Sequence, residues 1–405
     1  MDSLFSLRGI FRLPGRFEFW FVMFLFAGEF KKIPAIRGLI GNIDLLAVFL
    51  AITYLVFFLN LKKRYLVLRS SNLTYIFLYL LFVIYVITNF NLDSFGEVAN
   101  IKLRDFLLVV PNSVFFGLIF ANHKESRIFF VKSLLYLAMF LIIAFVLQTL
   151  TSGVQSYERS GVYSDSYHRI GFIGATSGGI FLWMILTFRG IGKRWFIISL
   201  YMLAFIAVSL SGHRAGFVGF FVTSLVALAT YFRQSRRTAN GLILLAFLVI
   251  GLTAIVSYTS FLESVTARFS SLQATGTQNV RVVMFVNAIT AFEESPIFGN
   301  GFGMFGTFSG MINYRHPHNI FAEILSELGI VGMILFLPVY FGWLFKKSVF
   351  SEDRVLFILI FTSAFVYSIF SGEISEHRVL LMSSACLFSF VTPQMVRNKI
   401  YKNRA

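Results

Sequence analysis

The chain has 405 residues, is 57% hydrophobic and only 13% charged, and carries a formal charge of +16. A water-soluble fold cannot hide that much apolar surface, so the composition excludes a soluble enzyme and predicts a polytopic membrane protein. The bilayer demands closed backbone hydrogen bonding, and the apolar runs are about 18 to 23 residues long, so they are read as helices rather than barrel strands.

In chain order, Met1 to Arg16 is a short basic lead with no small-residue cleavage site, and no removable signal peptide is expected. Apolar spans are predicted near 17–30, 43–61, 73–90, 103–121, 128–150, 170–188, 195–211, 215–232, 240–260, 319–345, 355–371 and 379–395. The first is short and flanked by Glu18 and Glu29, and a tilted or half-buried helix is its other reading. With all twelve crossing, 22 of the 35 basic residues fall on one side of the membrane. That is the positive-inside pattern, and it predicts cytoplasmic termini. The basic balance thus reports topology, and no nucleic-acid partner is expected.

The fold class expected is therefore all-α, a polytopic bundle of about twelve transmembrane helices. It divides into an N-terminal bundle over 1–260, a long loop over 261–318, and C-terminal helices with a basic cytoplasmic tail over 319–405. Cys386 is alone inside a late span, which excludes disulfides and thiolate metal sites. The 52 phenylalanines exceed any packing need and are read as compositional drift. No internal repeat is evident.

The outer hinges are brief except for Phe261–Pro317. That loop opens polar, from Ser270 to Asn279. Val282, Phe285, Val286, Ile289 and Phe292 then recur at helical spacing, with Arg281 in the first turn and Glu293-Glu-Ser-Pro296 as the stop. An amphipathic helix is predicted, lying on the leaflet surface or capping a cavity. Gly301-Phe-Gly-Met-Phe-Gly306 matches a dinucleotide pattern, but no strand precedes it. A glycine turn is the better reading, and its N–H groups could cradle an anion.

Three groups carry candidate chemistry. Ser211-Gly-His-Arg214 is a hinge between two spans, and its arginine is either a headgroup-facing residue or one turned toward a membrane-embedded phosphate. Arg281, taken alone, reads as an exposed helix arginine. Arg315-His-Pro-His-Asn319 stands at the mouth of the next span, where a helix dipole favours anions. Glu323 and Glu327 follow, four residues apart on one face of that span, where carboxylates are costly without a partner. His316 and His318 have no supporting Asp/Cys set, so a metal site is not expected. A histidine base near arginines and a helix N-terminus suits a phosphate-bearing substrate.

The order of these features resembles the O-antigen ligase and Wzy-type O-antigen polymerase superfamily. It comprises the Ser-Gly-x-Arg hinge, the loop helix bearing an arginine, the Ser-Pro-Ile-Phe-Gly-x-Gly-Phe-Gly turn, and His-Asn followed by Glu-Leu-Gly-Ile-Val-Gly332. The likeness runs from Ser211 to Gly332 by motif. It departs at His213, where a small residue is usual, and around Arg169, which lacks the family's following Pro-Asn. The resemblance implies a metal-independent glycosyltransferase without cofactor, in the bacterial inner membrane with its site facing the periplasm. Its donor would be a glycan on undecaprenyl diphosphate and its acceptor a second glycan. It also implies a role for His318 as general base and for Arg214 and Arg281 as neutralising groups on the departing diphosphate. Arg315, His316, Asn319, Glu327 and Arg169 are expected to support substrate binding. Guanidinium groups and a near-neutral imidazole suit those tasks. Polymerisation of repeat units leads, with a chain-length regulator as a possible partner. Ligation of the finished glycan to lipid A–core is the alternative, and a flippase or transporter is a third reading.

Overall fold

The computed structural model describes residues 13–30, 43–61, 69–90, 97–152, 167–188, 190–211, 213–234, 280–309, 316–346, 351–370, 374 and 377–390. The predicted span 240–260, the loop opening 261–279, Gly212 and Arg315 lie outside them.

Every regular element among these residues is helical. They are α1 Phe17–Leu25, α2 Leu45–Leu59, α3 Ser70–Thr88, α4 Glu97–Leu108, α5 Val110–Asn122, α6 Lys124–Ser152, α7 Tyr167–Thr187, α8 Ile191–Ser211, α9 Arg214–Gln234, α10 Val280–Glu294, α11 Ile320–Phe341, α12 Glu352–Phe370 and α13 Arg378–Ser389. Eight described segments are long and apolar enough to cross a membrane, while α2 and α13 are shorter apolar helices. This is a polytopic membrane bundle, as the composition requires. The expected first span is broken: α1 stops at Leu25, and a single turn, Ala27–Phe30, follows. The span near 103–121 begins earlier and is interrupted between α4 and α5, where Pro111 opens the second helix.

The central helix is α7, buried along nearly its whole length, whereas α3 is mostly outward-facing. Small residues explain how α7 sits so deep. Gly171 and Gly174 meet α9 and α8, and Gly178 and Gly179 meet Phe220 and Thr223 of α9. Without a water-driven hydrophobic effect between helices, such close backbone approach is what holds a membrane bundle. A methyl at Gly216 would lie 2.5 Å from Gly171 Cα, so these two helix starts touch through backbone.

The phenylalanines are used. Phe17, Phe21, Phe116, Phe120, Phe130 and Phe357 form a continuous aromatic core, with centroids 4.6 Å apart for Phe21–Phe116 and 4.8 Å for Phe120–Phe130. That corrects the compositional-drift reading for the buried rings, because such pairs add to simple burial. Charges meant for one membrane face also gather at one end. Arg16 pairs with Glu18 at 3.1 Å and with Glu125 at 3.3 Å. Arg127 donates to the Phe120 and Ala121 carbonyls closing α5 and to Asp353 opening α12.

Candidate functional site

At the opposite end, α11 is not the continuous helix its apolar run suggests. Gly329 adopts φ 65°, ψ −164°, and breaks it. Only glycine tolerates that region, and a methyl there would strike the Ile297 carbonyl oxygen. The break frees backbone groups inside a membrane protein, where each must find a partner. The glycine turn supplies them. Asn300 N–H donates to the Ser326 carbonyl and Gly301 N–H to that of Glu327, each at 3.0 Å. In return, Ile330 N–H donates to Pro296 and Val331 N–H to Ile297, at 2.9 and 3.1 Å. From α3, Tyr85 Oη donates to the Leu328 carbonyl at 2.8 Å, and just past its end Asn89 Nδ2 donates to that of Phe298 at 2.6 Å. The two motifs noticed separately in the sequence are thus one joint.

The turn is a cradle, and its anion comes from the chain itself. Gly299, Gly301 and Gly303 all have positive φ. Gly303 N–H donates to Glu327 Oε2 at 2.9 Å, and Phe305 N–H donates to Glu327 Oε1 at 3.3 Å. Lys102 Nζ, from α4, bonds both Glu327 oxygens at 2.8 Å and pairs with Glu323 Oε1 at 2.6 Å. Glu323 also accepts from Ile374 N–H at 3.2 Å. Lys102 is 0% exposed and each glutamate 1%. Glu327, expected near substrate, is thus enclosed. Lys102 stands just ahead of the apolar run at 103–121, and only the fold reveals it as the glutamates' partner.

Phe305 leads from this cradle to the candidate catalytic groups. Its ring clusters with Met284 and Ala288 of α10 and Ala322 of α11. The loop helix exists where predicted, but its docking face differs. Met284, Ala288 and Ala291 are buried, whereas Val282, Phe285 and Val286 are 57%, 43% and 54% exposed. The alanines win because they allow close approach, which leaves the bulkier stripe exposed. Arg281, one turn before Met284, is exposed.

The mouth of α11 is tightly specified. Asn319 caps it, its Oδ1 accepting from Phe321 and Ala322 N–H at 3.0 and 3.1 Å. His318 is held at φ 57°, the one described non-glycine residue with positive φ. Its Nδ1 lies 3.1 Å from His316 Nε2, with the rings perpendicular at 4.5 Å between centroids. The sequence offers His318 as a base and His316 as a binding residue, without relating the two. The fold makes them a histidine dyad.

The structure therefore brings α10, His316, His318, Asn319 and Glu327 around one helix start. Arg214 opens α9 and Arg169 lies in the first turn of α7, and those two starts are joined at Gly171 and Gly216. His213 is buried, and its Nδ1 accepts Gly216 N–H at 3.1 Å, so it caps α9. Between α12 and α13, Tyr367, His377 and Arg378 line a small cleft with Phe172, and sequence reasoning missed all three.

The fold and this mouth define a multi-pass helical membrane protein with a paired-histidine helix mouth at one end. Residues 199–337 match the family described as O-antigen ligase. Over 168 residues the chain is 28% identical to a provisionally named polysaccharide ligase of Rickettsia felis, covering 38% of this chain and 40% of that one. It is 26% identical over 206 residues to another, from Rickettsia conorii, covering 45% and 47%. It is also 24% identical over 165 residues to an uncharacterized protein of Haemophilus influenzae, covering 35% and 41%. The chain spans less than half the length of each of these relatives. No solved structure matches.

Proposed function

We propose that the protein is a membrane-embedded glycosyltransferase that moves a glycan from a lipid diphosphate to a sugar hydroxyl on the periplasmic side of the inner membrane. The observation that carries this reading is the His316–His318 dyad at the capped mouth of α11, with the Arg281-bearing helix docked on the same turn. When His318 Nδ1–H donates to His316 Nε2, the basic lone pair of His318 is the one on Nε2. In that tautomer His318 removes the acceptor hydroxyl proton as the oxygen bonds to the donor's anomeric carbon. The bond from that carbon to the phosphate oxygen breaks, and the electron pair leaves with the lipid diphosphate. Arg281 and Arg214 offset its growing charge in a low-dielectric setting, where fixed guanidinium groups are most effective.

The acceptor separates two forms of this reaction. The names of the two Rickettsia relatives favour a ligase, which attaches finished glycan to a lipid core. Joining of repeat units is the other form, and it uses the same residues. A strain lacking the gene distinguishes them on a surface-polysaccharide gel. Bare core with long lipid-linked glycan left unattached supports the ligase, and core with a single repeat supports the polymerase. An unchanged ladder overturns both.

A further inference from the structure

We infer that Lys102 is a positioning residue for this site: through Glu327 and Phe305 it sets the placement of Arg281 relative to His318. The inference rests on the transferase reading for its functional half and on geometry alone for its structural half.

Three links make the chain of contacts. Lys102 holds both oxygens of Glu327 at 2.8 Å, and with them the carboxylate orientation. That carboxylate accepts the N–H of Phe305, and the Phe305 ring is the centre of the cluster that seats Met284 and Ala288 against Ala322. Arg281 stands about one helical turn before Met284 on α10, and His318 stands two residues before α11 opens at Ile320, close ahead of Ala322. The residue on which both candidate catalytic elements converge is thus oriented from a third element, α4. Removing the lysine leaves two buried carboxylates uncompensated, so the link is stiff.

The two glutamates are not equivalent in this arrangement. Glu327 serves the lysine and two turn N–H groups, whereas Glu323 serves the lysine and Ile374 N–H. Glu323→Gln keeps a one-to-one pair of Lys102 with Glu327, and its amide oxygen still accepts from Ile374. Glu327→Gln turns an NH2 group toward either Lys102 or the N–H groups of Gly303 and Phe305, all of which are donors.

The test is amide hydrogen exchange across 297–309, together with transfer kinetics, on the full-length protein in detergent or nanodiscs. Lys102→Met and Glu327→Gln are predicted to speed exchange at Gly303 and Phe305 about a hundredfold. They should lower kcat about tenfold or more while donor KM stays within about threefold. Glu323→Gln should leave both near wild type. Equal loss of protection in Glu323→Gln and Glu327→Gln overturns the inference, as does unchanged exchange in Lys102→Met. If Lys102→Met does not accumulate, the contrast between the two glutamine variants decides. A wild-type protein that shows the exchange pattern but transfers no glycan would fail the transferase reading and leave the tie itself standing.

Discussion

The N–H of Gly301 donates to the Glu327 carbonyl at 3.0 Å, tying the loop turn to α11 two residues before Gly329 breaks it. Everything that gives this end its shape passes through that joint, and its glycines are therefore unequal to others in the chain. Gly329→Ala and Gly299→Ala each force an L-residue to positive φ with a methyl against backbone, at about 3 kcal/mol. Gly192→Ala, exposed in the first turn of α8 with nothing near its added methyl, should be neutral or stabilising by about 0.5–1 kcal/mol. Thermal unfolding in detergent separates the two classes, and a Gly329→Ala protein as stable as wild type would contradict the break.

The histidine dyad makes a graded prediction. His318→Ala removes the base and should lower transfer by roughly 10²–10⁴-fold. His316→Ala leaves the base but removes the group that fixes its tautomer, and a smaller loss of about tenfold is expected. Rates measured with purified protein and lipid-linked donor test the order. Equal losses would mean that the two rings act as one unit.

Asn319 allows binding to be separated from folding. Asn319→Ala removes the α11 cap and should cost about 1 kcal/mol. Asn319→Asp keeps the cap and adds negative charge at the helix start, so stability holds or rises. An anionic donor would then be repelled, raising KM with little change in thermal stability. A KM that stays put would place the phosphates elsewhere.

The α7–α9 contact is the lever on Arg214 and Arg169. Gly216→Ala drives a methyl into Gly171 backbone and should cost about 1–3 kcal/mol while separating the two arginine-bearing helix starts. Gly219→Ala, one turn on, meets only Ala175 Cβ at 3.3 Å and Val366 beyond it, and should be tolerated. Parallel measurement of melting temperature and transfer rate checks the pair.

Span positions were legible because long apolar runs and clustered basic residues are properties of the bilayer as solvent, and those survive without knowledge of packing. The His-Asn mouth was legible for a related reason: a polar segment abutting an apolar run marks a helix start. The break at Gly329 was not, since Glu-Leu-Gly-Ile-Val-Gly has the apolar density of an uninterrupted helix, and only the turn's N–H groups make the interruption affordable. Lys102 was hidden for the opposite reason. It sits beside polar hinge residues in sequence, yet α4 starts early enough to carry it inward to two glutamates more than 200 positions away. The apolar stripe of α10 was legible, but the face by which it packs on α11 was not, because hydrophobicity marks Val282, Phe285 and Val286 whereas close approach favours Ala288 and Ala291.

That outward stripe has its own consequence. Val282, Phe285 and Val286 point outward directly beside Arg281, and a surface that greasy settles among acyl chains. On the proposed function, that guanidinium would stand at the level of lipid phosphates, and an amphiphilic anionic donor would meet it by sliding sideways within one leaflet. Encounter becomes a two-dimensional search governed by molecules per unit of membrane area, so diluting the membrane with inert lipid should slow capture even when the total amount of donor is unchanged.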